Sequence, residues 1–201
     1  MRKAVYGSII LVFSMFLTTH LSAYKILYAE QFYKLFHYNF YRYPEDFNEN
    51  IFYLEEALKA DFVNPLNALT KIENKKEWER YRYLFKMHVN LKLVELYLGL
   101  GSKFDKRKAY FFNQPWQEEN IKSLQVAEKH YTAAFYYWEQ AKEWASKIRT
   151  SFKTLEGVQY WEDQCFRIQT GELDYADIID SHLERLREVR EQFLDMDENT
   201  Y

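Results

Sequence analysis

Residues 78–101 read WERYRYLFKMHVNLKLVELYLGLG, and their periodicity decides the fold class. Trp78, Tyr81, Phe85, Val89, Leu93, Leu96 and Leu100 recur at steps of three and four, the spacing of one helical face. Leu84, Met87, Leu91, Val94 and Leu98 form a second stripe beside it. Two adjacent apolar stripes require contact over a wide arc, so this segment is expected to be a central helix. Asn74 and Glu77 have capping-box spacing at its start, and Gly99 and Gly101 are expected to mark its exit.

Working outward, the same period recurs on both sides and no segment alternates as a strand would. Tyr24–Tyr43 is compatible with an aromatic-rich helix broken near Pro44, and Phe47–Ala60 carries Ile51, Leu54 and Leu58 at helical spacing. Asn64-Pro65 reads as an N-cap followed by a first-turn proline, predicting a short helix to about Ile72. Residues 102–116, SKFDKRKAYFFNQPW, are expected to be a basic, aromatic-bearing connection stopped by Pro115. A long helix is expected over 117–148, where Ile121, Leu124, Ala127, Tyr131, Ala134, Trp138, Ala141, Ala145 and Ile148 share a face. Another is predicted over 153–169, ended by Gly171, and a last one over 175–196, capped by Asp174. That last segment places Ile179, His182, Leu186, Val189, Phe193 and Met196 on a coiled-coil-like seam. The expected architecture is all-α, with about six helices in antiparallel helix-turn-helix pairs. Five Gly and three Pro among 201 residues leave few breaks, which favours long helices.

The first 23 residues differ from the rest. Arg2 and Lys3 precede an apolar run, Ile9 to Leu17, followed by Leu21-Ser22-Ala23. That order is a secretory signal with cleavage expected after Ala23, or an uncleaved anchor, since Leu21 is large for its place. The run is shorter than the roughly 20 apolar residues of a membrane span. An exported or periplasmic location follows, with residues 24–201 as a single domain and membrane contact through the N-terminal segment. Cys165 is the single cysteine, so no internal disulfide is available. It shares a face with Val158, Trp161 and Ile168, as a small buried side chain would, an intermolecular disulfide or a reactive thiol being the other readings.

Charge is distributed unevenly. Residues 71–110 hold eleven Lys/Arg against five Asp/Glu, whereas 172–201 hold three Arg against ten acids. This layout suits a charged neighbour or self-association. A net charge of −3 argues against nucleic acid as a partner.

Chemistry-bearing patterns are sparse. His37, His88, His130 and His182 follow Lys34, Phe85, Ala127 and Ile179 by three residues, so no Glu-x-x-His di-iron pair exists. There is no His-Glu-x-x-His, zinc cysteine pair or phosphate-cradling glycine loop. Catalytic, metal and cofactor sites are therefore not expected. The expected sites are surfaces for proteins. In the N-terminal segment they are Phe32, Phe36, Phe40 and Tyr43, part of a cluster with Tyr33, Tyr38 and Tyr41 that covers too many helical directions to face one core. In the basic connection they are Lys106, Arg107, Phe111 and Trp116, and in the acidic terminal helix (173–201) His182, Leu186, Val189 and Phe193. His182 has two readings, a pH-sensitive contact or a half-buried ring satisfied by a carboxylate.

The stretch LEEALKADF (54–62) resembles the end of a tetratricopeptide repeat: Leu54, Ala57 and Leu58 fit its packing positions and Asp61 its acidic terminus. Counting back, Tyr41 falls on the first helix's aromatic position and Pro44 near the turn. Phe62 replaces the terminal proline, Asn50 the small residue, and Lys34 and His37 apolar ones. AEKHYTAA (127–134) repeats part of the spacing through Ala127, Tyr131 and Ala134. More broadly, residues 64–106 with AAFYYWEQAKEW (133–144) are similar to exported helical proteins of spirochaetes, some of them collar parts of the periplasmic flagellar motor. The resemblance implies a non-enzymatic scaffold that binds other proteins of an envelope or motor assembly. The other function the sequence allows is a periplasmic domain binding a small molecule or peptide in an aromatic pocket.

Overall fold

The computed structural model describes residues 25–149 and 154–197. The signal-like segment lies outside the described residues. The described residues form an all-α fold of six helices: α1 (Ala29–Arg42), α2 (Phe47–Lys59), α3 (Lys75–Phe104), α4 (Gln117–Ser146), α5 (Gln159–Thr170) and α6 (Ala176–Leu194).

Local chemistry explains where these helices begin. Asp46 and Asn74 accept from the backbone N–H of Glu49 and Glu77, at 3.2 and 3.0 Å, capping α2 and α3. Asp174 takes the N–H of Ala176 at 2.8 Å where α6 starts. Gly171 closes α5 with φ 78°, a left-handed conformation that favours glycine.

Four sequence expectations are corrected. Gly99 and Gly101 do not end α3, which continues to Phe104. They admit neighbours instead: a Cβ on Gly101 would lie 2.6 Å from the Tyr131 ring, and one on Gly99 2.5 Å from Phe47. After Asn64-Pro65 only a 3-10 turn forms, Pro65–Asn67. Beyond it Leu69 N–H donates to the Tyr81 hydroxyl at 3.3 Å and the Thr70 hydroxyl to the Glu156 carbonyl, so tertiary bonds displace a helix. Helix α5 starts at Gln159 because Leu155 N–H is taken by the Glu162 carboxylate at 3.1 Å and Gly157 turns with φ 84°. The fourth concerns the terminal seam. Ile179, Leu186, Val189 and Phe193 are buried in the chain's own core, so they are not a free surface of the folded domain.

The helices pack mostly as antiparallel pairs, of which α3 with α4 is the most extensive. Tyr131 meets Asp105, Tyr137 stacks on Tyr97 and Trp144 meets Tyr83 at a tilt, an antiparallel ladder along the two long helices. Along the buried face of α4, small residues (Ala127, Ala134, Ala141, Ala145) alternate with the large rings of Tyr131 and Trp138, which permits close approach of the neighbouring helices. Helix α6 runs antiparallel to α4, with Tyr175 on Trp138, His182 on Tyr131 and Arg190 near Glu128.

These contacts give the bundle two ends. At one lie Tyr28, Asp61 and Trp78, joined by Ala29 N–H to the Asp61 carbonyl at 2.8 Å. At the other, Glu45 pairs with Lys103, and Gln117 donates its amide to the carbonyls of Phe193 and Met196. From Tyr81 to Phe104 the distance along α3 is about 35 Å at 1.5 Å per residue.

Candidate protein-contact surface

The end away from Tyr28 collects exposed aromatic rings. In α1 the buried face is Ala29, Tyr33 and Phe36, at steps of four and three, so Phe36 belongs to the core and Phe32 is half-buried. Tyr38 and Tyr41 fall out of that phase, whereas Phe40 and Tyr43 continue it past the end of the core; all four are exposed, Tyr41 to 89%. The Arg42 guanidinium covers the Tyr38 ring at 4.2 Å. Of the expected N-terminal contact residues, Phe40 and Tyr43 are therefore surface and Phe36 is not.

The connection from α3 to α4 contributes the rest. Asp105 is buried and takes hydrogen bonds from the Tyr131 hydroxyl at 2.8 Å and from Arg185, which pins the loop to α6. Arg107 then stands exposed and Lys106 half-buried, and residues 111–116 turn as a 3-10 segment leading into α4. Phe111 and Trp116 are exposed. Tyr110 and Phe112 join them, stacked at 5.2 Å between centroids, and Lys108 is exposed as well. These three were legible in the same basic–aromatic run, but no period in so short a loop says which rings turn outward.

His182 is half-buried: its ring stacks on Tyr131 at 4.8 Å, with Arg185 Nη2 3.1 Å from Nδ1. Desolvation and the neighbouring Arg185 charge hold its pKa below the usual histidine value. The nearby Asp105 carboxylate, 4.0 Å away, opposes that shift without reversing it.

Buried polar groups elsewhere fasten helices together. Glu30 accepts from the Tyr81 hydroxyl at 3.2 Å and from Val63 N–H at 3.1 Å. His88, 2% exposed, bridges the Tyr33 hydroxyl at 2.8 Å and Gln164 at 2.6 Å, tying α1, α3 and α5. Glu55 accepts from both Tyr97 and Tyr137 at 2.8 Å. Sequence patterns gave no sign of these groups, because each pairing spans 33 residues or more. Cys165 is buried and unpaired, and burial pushes its thiol up to about 11, far from a reactive thiolate. No group of three or more His, Cys, Asp or Glu able to hold a metal ion occurs among the described residues. No described helix is long and apolar enough to cross a membrane.

Residues 76–196, which run from the first turn of α3 to just past α6, match the model of a family described as a domain of unknown function, DUF8513. The chain belongs to the DUF8513 family. No curated protein and no solved structure matches it. The DUF8513 span contains the basic–aromatic connection and α6, while α1 and α2, with Tyr38, Tyr41 and Tyr43, lie outside it. The exposed end of the molecule is thus built partly from the DUF8513 segment and partly from the hairpin that precedes it.

Proposed function

We propose that this DUF8513 protein is a non-enzymatic, exported helical scaffold that works by protein–protein contact. The observation that carries the reading is the set of exposed rings (Tyr38, Phe40, Tyr41, Tyr43) beside Arg42 at the α1–α2 corner, at the end away from Tyr28. Large rings left in water cost solvation, and aromatic residues with Arg are the types that dominate protein interfaces. The signal-like N-terminal segment joins the domain at Tyr28. In this reading the chain is delivered or held from that end and offers the other to its neighbours. The sequence resemblance supports a periplasmic assembly, a flagellar-motor collar or a related envelope structure.

The packing of the interior supports a scaffold over a ligand-binding pocket. Where α1, α3 and α5 meet, the Tyr33, Phe85 and Trp161 rings contact one another at 5.3–5.8 Å between centroids, filling the space a ligand would need. The test is in-cell cross-linking of the chain and a Tyr38→Ser/Tyr41→Ser/Tyr43→Ser variant. Loss of the hetero-protein cross-links with unchanged folding is expected. An unchanged cross-linking pattern would sink the proposal.

A further inference from the structure

The basic connection and the outer face of α6 lie side by side. Asp105 is joined to Arg185, and Gln117, at the connection's end, to the last carbonyls of α6. Lys106, Arg107 and Lys108 follow Asp105 in the connection, and Asp180, Glu184, Glu188 and Glu191 follow each other at helical steps along the exposed side of α6, four acids against the one exposed base, Arg187, among them. Among the described residues none of the three connection bases and four α6 acids forms an ion pair with another. Exposed apolar side chains accompany these charges: Tyr110, Phe111, Phe112 and Trp116 on the connection and Leu194 on α6 are 48, 54, 60, 63 and 58% exposed.

We propose that this face is a two-fold, self-complementary contact between two copies of the chain, with each basic connection on the partner's acidic α6. A surface that carries both signs on adjoining elements is matched by its own copy after a half-turn, since residue i then meets j and j meets i. At about 200 Å² per large aromatic side chain, the four rings offer roughly 450 Å², and Leu194 adds to it. Two copies therefore bury about 1,100 Å², near the lower limit for a specific interface and suited to a reversible, micromolar dimer. An anionic bilayer fits less well, because the acids of α6 together with Glu118 and Glu119 would be repelled by its headgroups.

This dimer is independent of hetero-partner binding at the α1–α2 corner, and its test does not touch that corner. Sedimentation equilibrium of the full chain is compared with a Lys106→Glu/Arg107→Glu/Lys108→Glu variant and a Glu184→Lys/Glu188→Lys/Glu191→Lys variant. Wild type dimerises, with Kd rising steeply with salt. Each reversal alone weakens dimerisation tenfold or more, and an equimolar mixture of the two forms the heterodimer with near wild-type affinity. Phe112→Ser, which leaves the charge unchanged, also weakens it. A wild type that stays monomeric at about 100 µM, or reversal variants that fail to restore each other, overturns the proposal. So does co-sedimentation of a monomeric chain with phosphatidylglycerol vesicles that is lost on loop reversal, which assigns the patch to lipid.

Discussion

The carbonyl oxygen of Gln164 can only accept, so at 2.6 Å from His88 Nδ1 it places the imidazole proton on that nitrogen. Nε2 is then left to accept from the Tyr33 hydroxyl. Burial penalises a second, charging proton on this ring and lowers its pKa from 6.5 to about 3. Above pH 6.5 the ring is neutral in folded and unfolded chains alike. Between pH 6.5 and 3 only the unfolded chain takes the proton, so stability falls with pH by about 1.4 kcal/mol per unit from this residue. His37, His130 and His182 are also depressed by burial and add slope in the same direction. Urea unfolding at pH 5–8 should therefore show a shallower decline in His88→Gln than in wild type, and equal slopes would refute this account. Gly101 gives a second test at this scale. Its missing Cβ leaves room for Tyr131, so Gly101→Ala should cost about 1–3 kcal/mol by overpacking, although alanine favours a helix by about 1 kcal/mol.

At the scale of the element, periodicity identified six helices because each buries a face on a core. It placed their ends less well, because ends depend on groups distant in sequence. Gly99 and Gly101 look like an exit until Phe47 and Tyr131 are seen to need the space. Residues 68–72 look helical until Tyr81 and Glu156 take their polar groups. The seam of α6 is the same lesson in packing: its period was legible, yet period alone cannot say whether the covering surface is α4 or another protein. Leu186 and Phe193 are buried, so Leu186→Asp or Phe193→Asp should unfold the domain, each at a cost of about 4 kcal/mol or more. Circular dichroism should show helicity lost well beyond α6. A variant that stays helical and loses only its partners would restore the seam as an outer surface.

For the whole molecule, the question is whether the DUF8513 span is a folding unit by itself. It begins at residue 76 and omits α1 and α2. Yet Tyr33 and Phe36 of α1, and Ile51, Leu54 and Ala57 of α2, belong to the same continuous core as Phe85, Val89 and Leu93. Without the hairpin, Tyr81 loses Glu30 and His88 loses Tyr33, leaving buried polar groups unpaired as well as apolar surface in water. The α1–α2 hairpin is thus both a cover for α3 and the carrier of the exposed Tyr38, Tyr41 and Tyr43, so its inner face cannot be removed to study the outer one. A chain of residues 74–197 should consequently bind a hydrophobic dye and melt without a cooperative transition, whereas residues 25–197 should unfold cooperatively with little dye bound. If residues 74–197 melt as sharply as the longer chain, α1 and α2 are an appendage and the core ends at α3. The surface triple Tyr38→Ser/Tyr41→Ser/Tyr43→Ser should behave oppositely, leaving the unfolding free energy within about 0.5 kcal/mol of wild type, because those rings are exposed and lie outside the core.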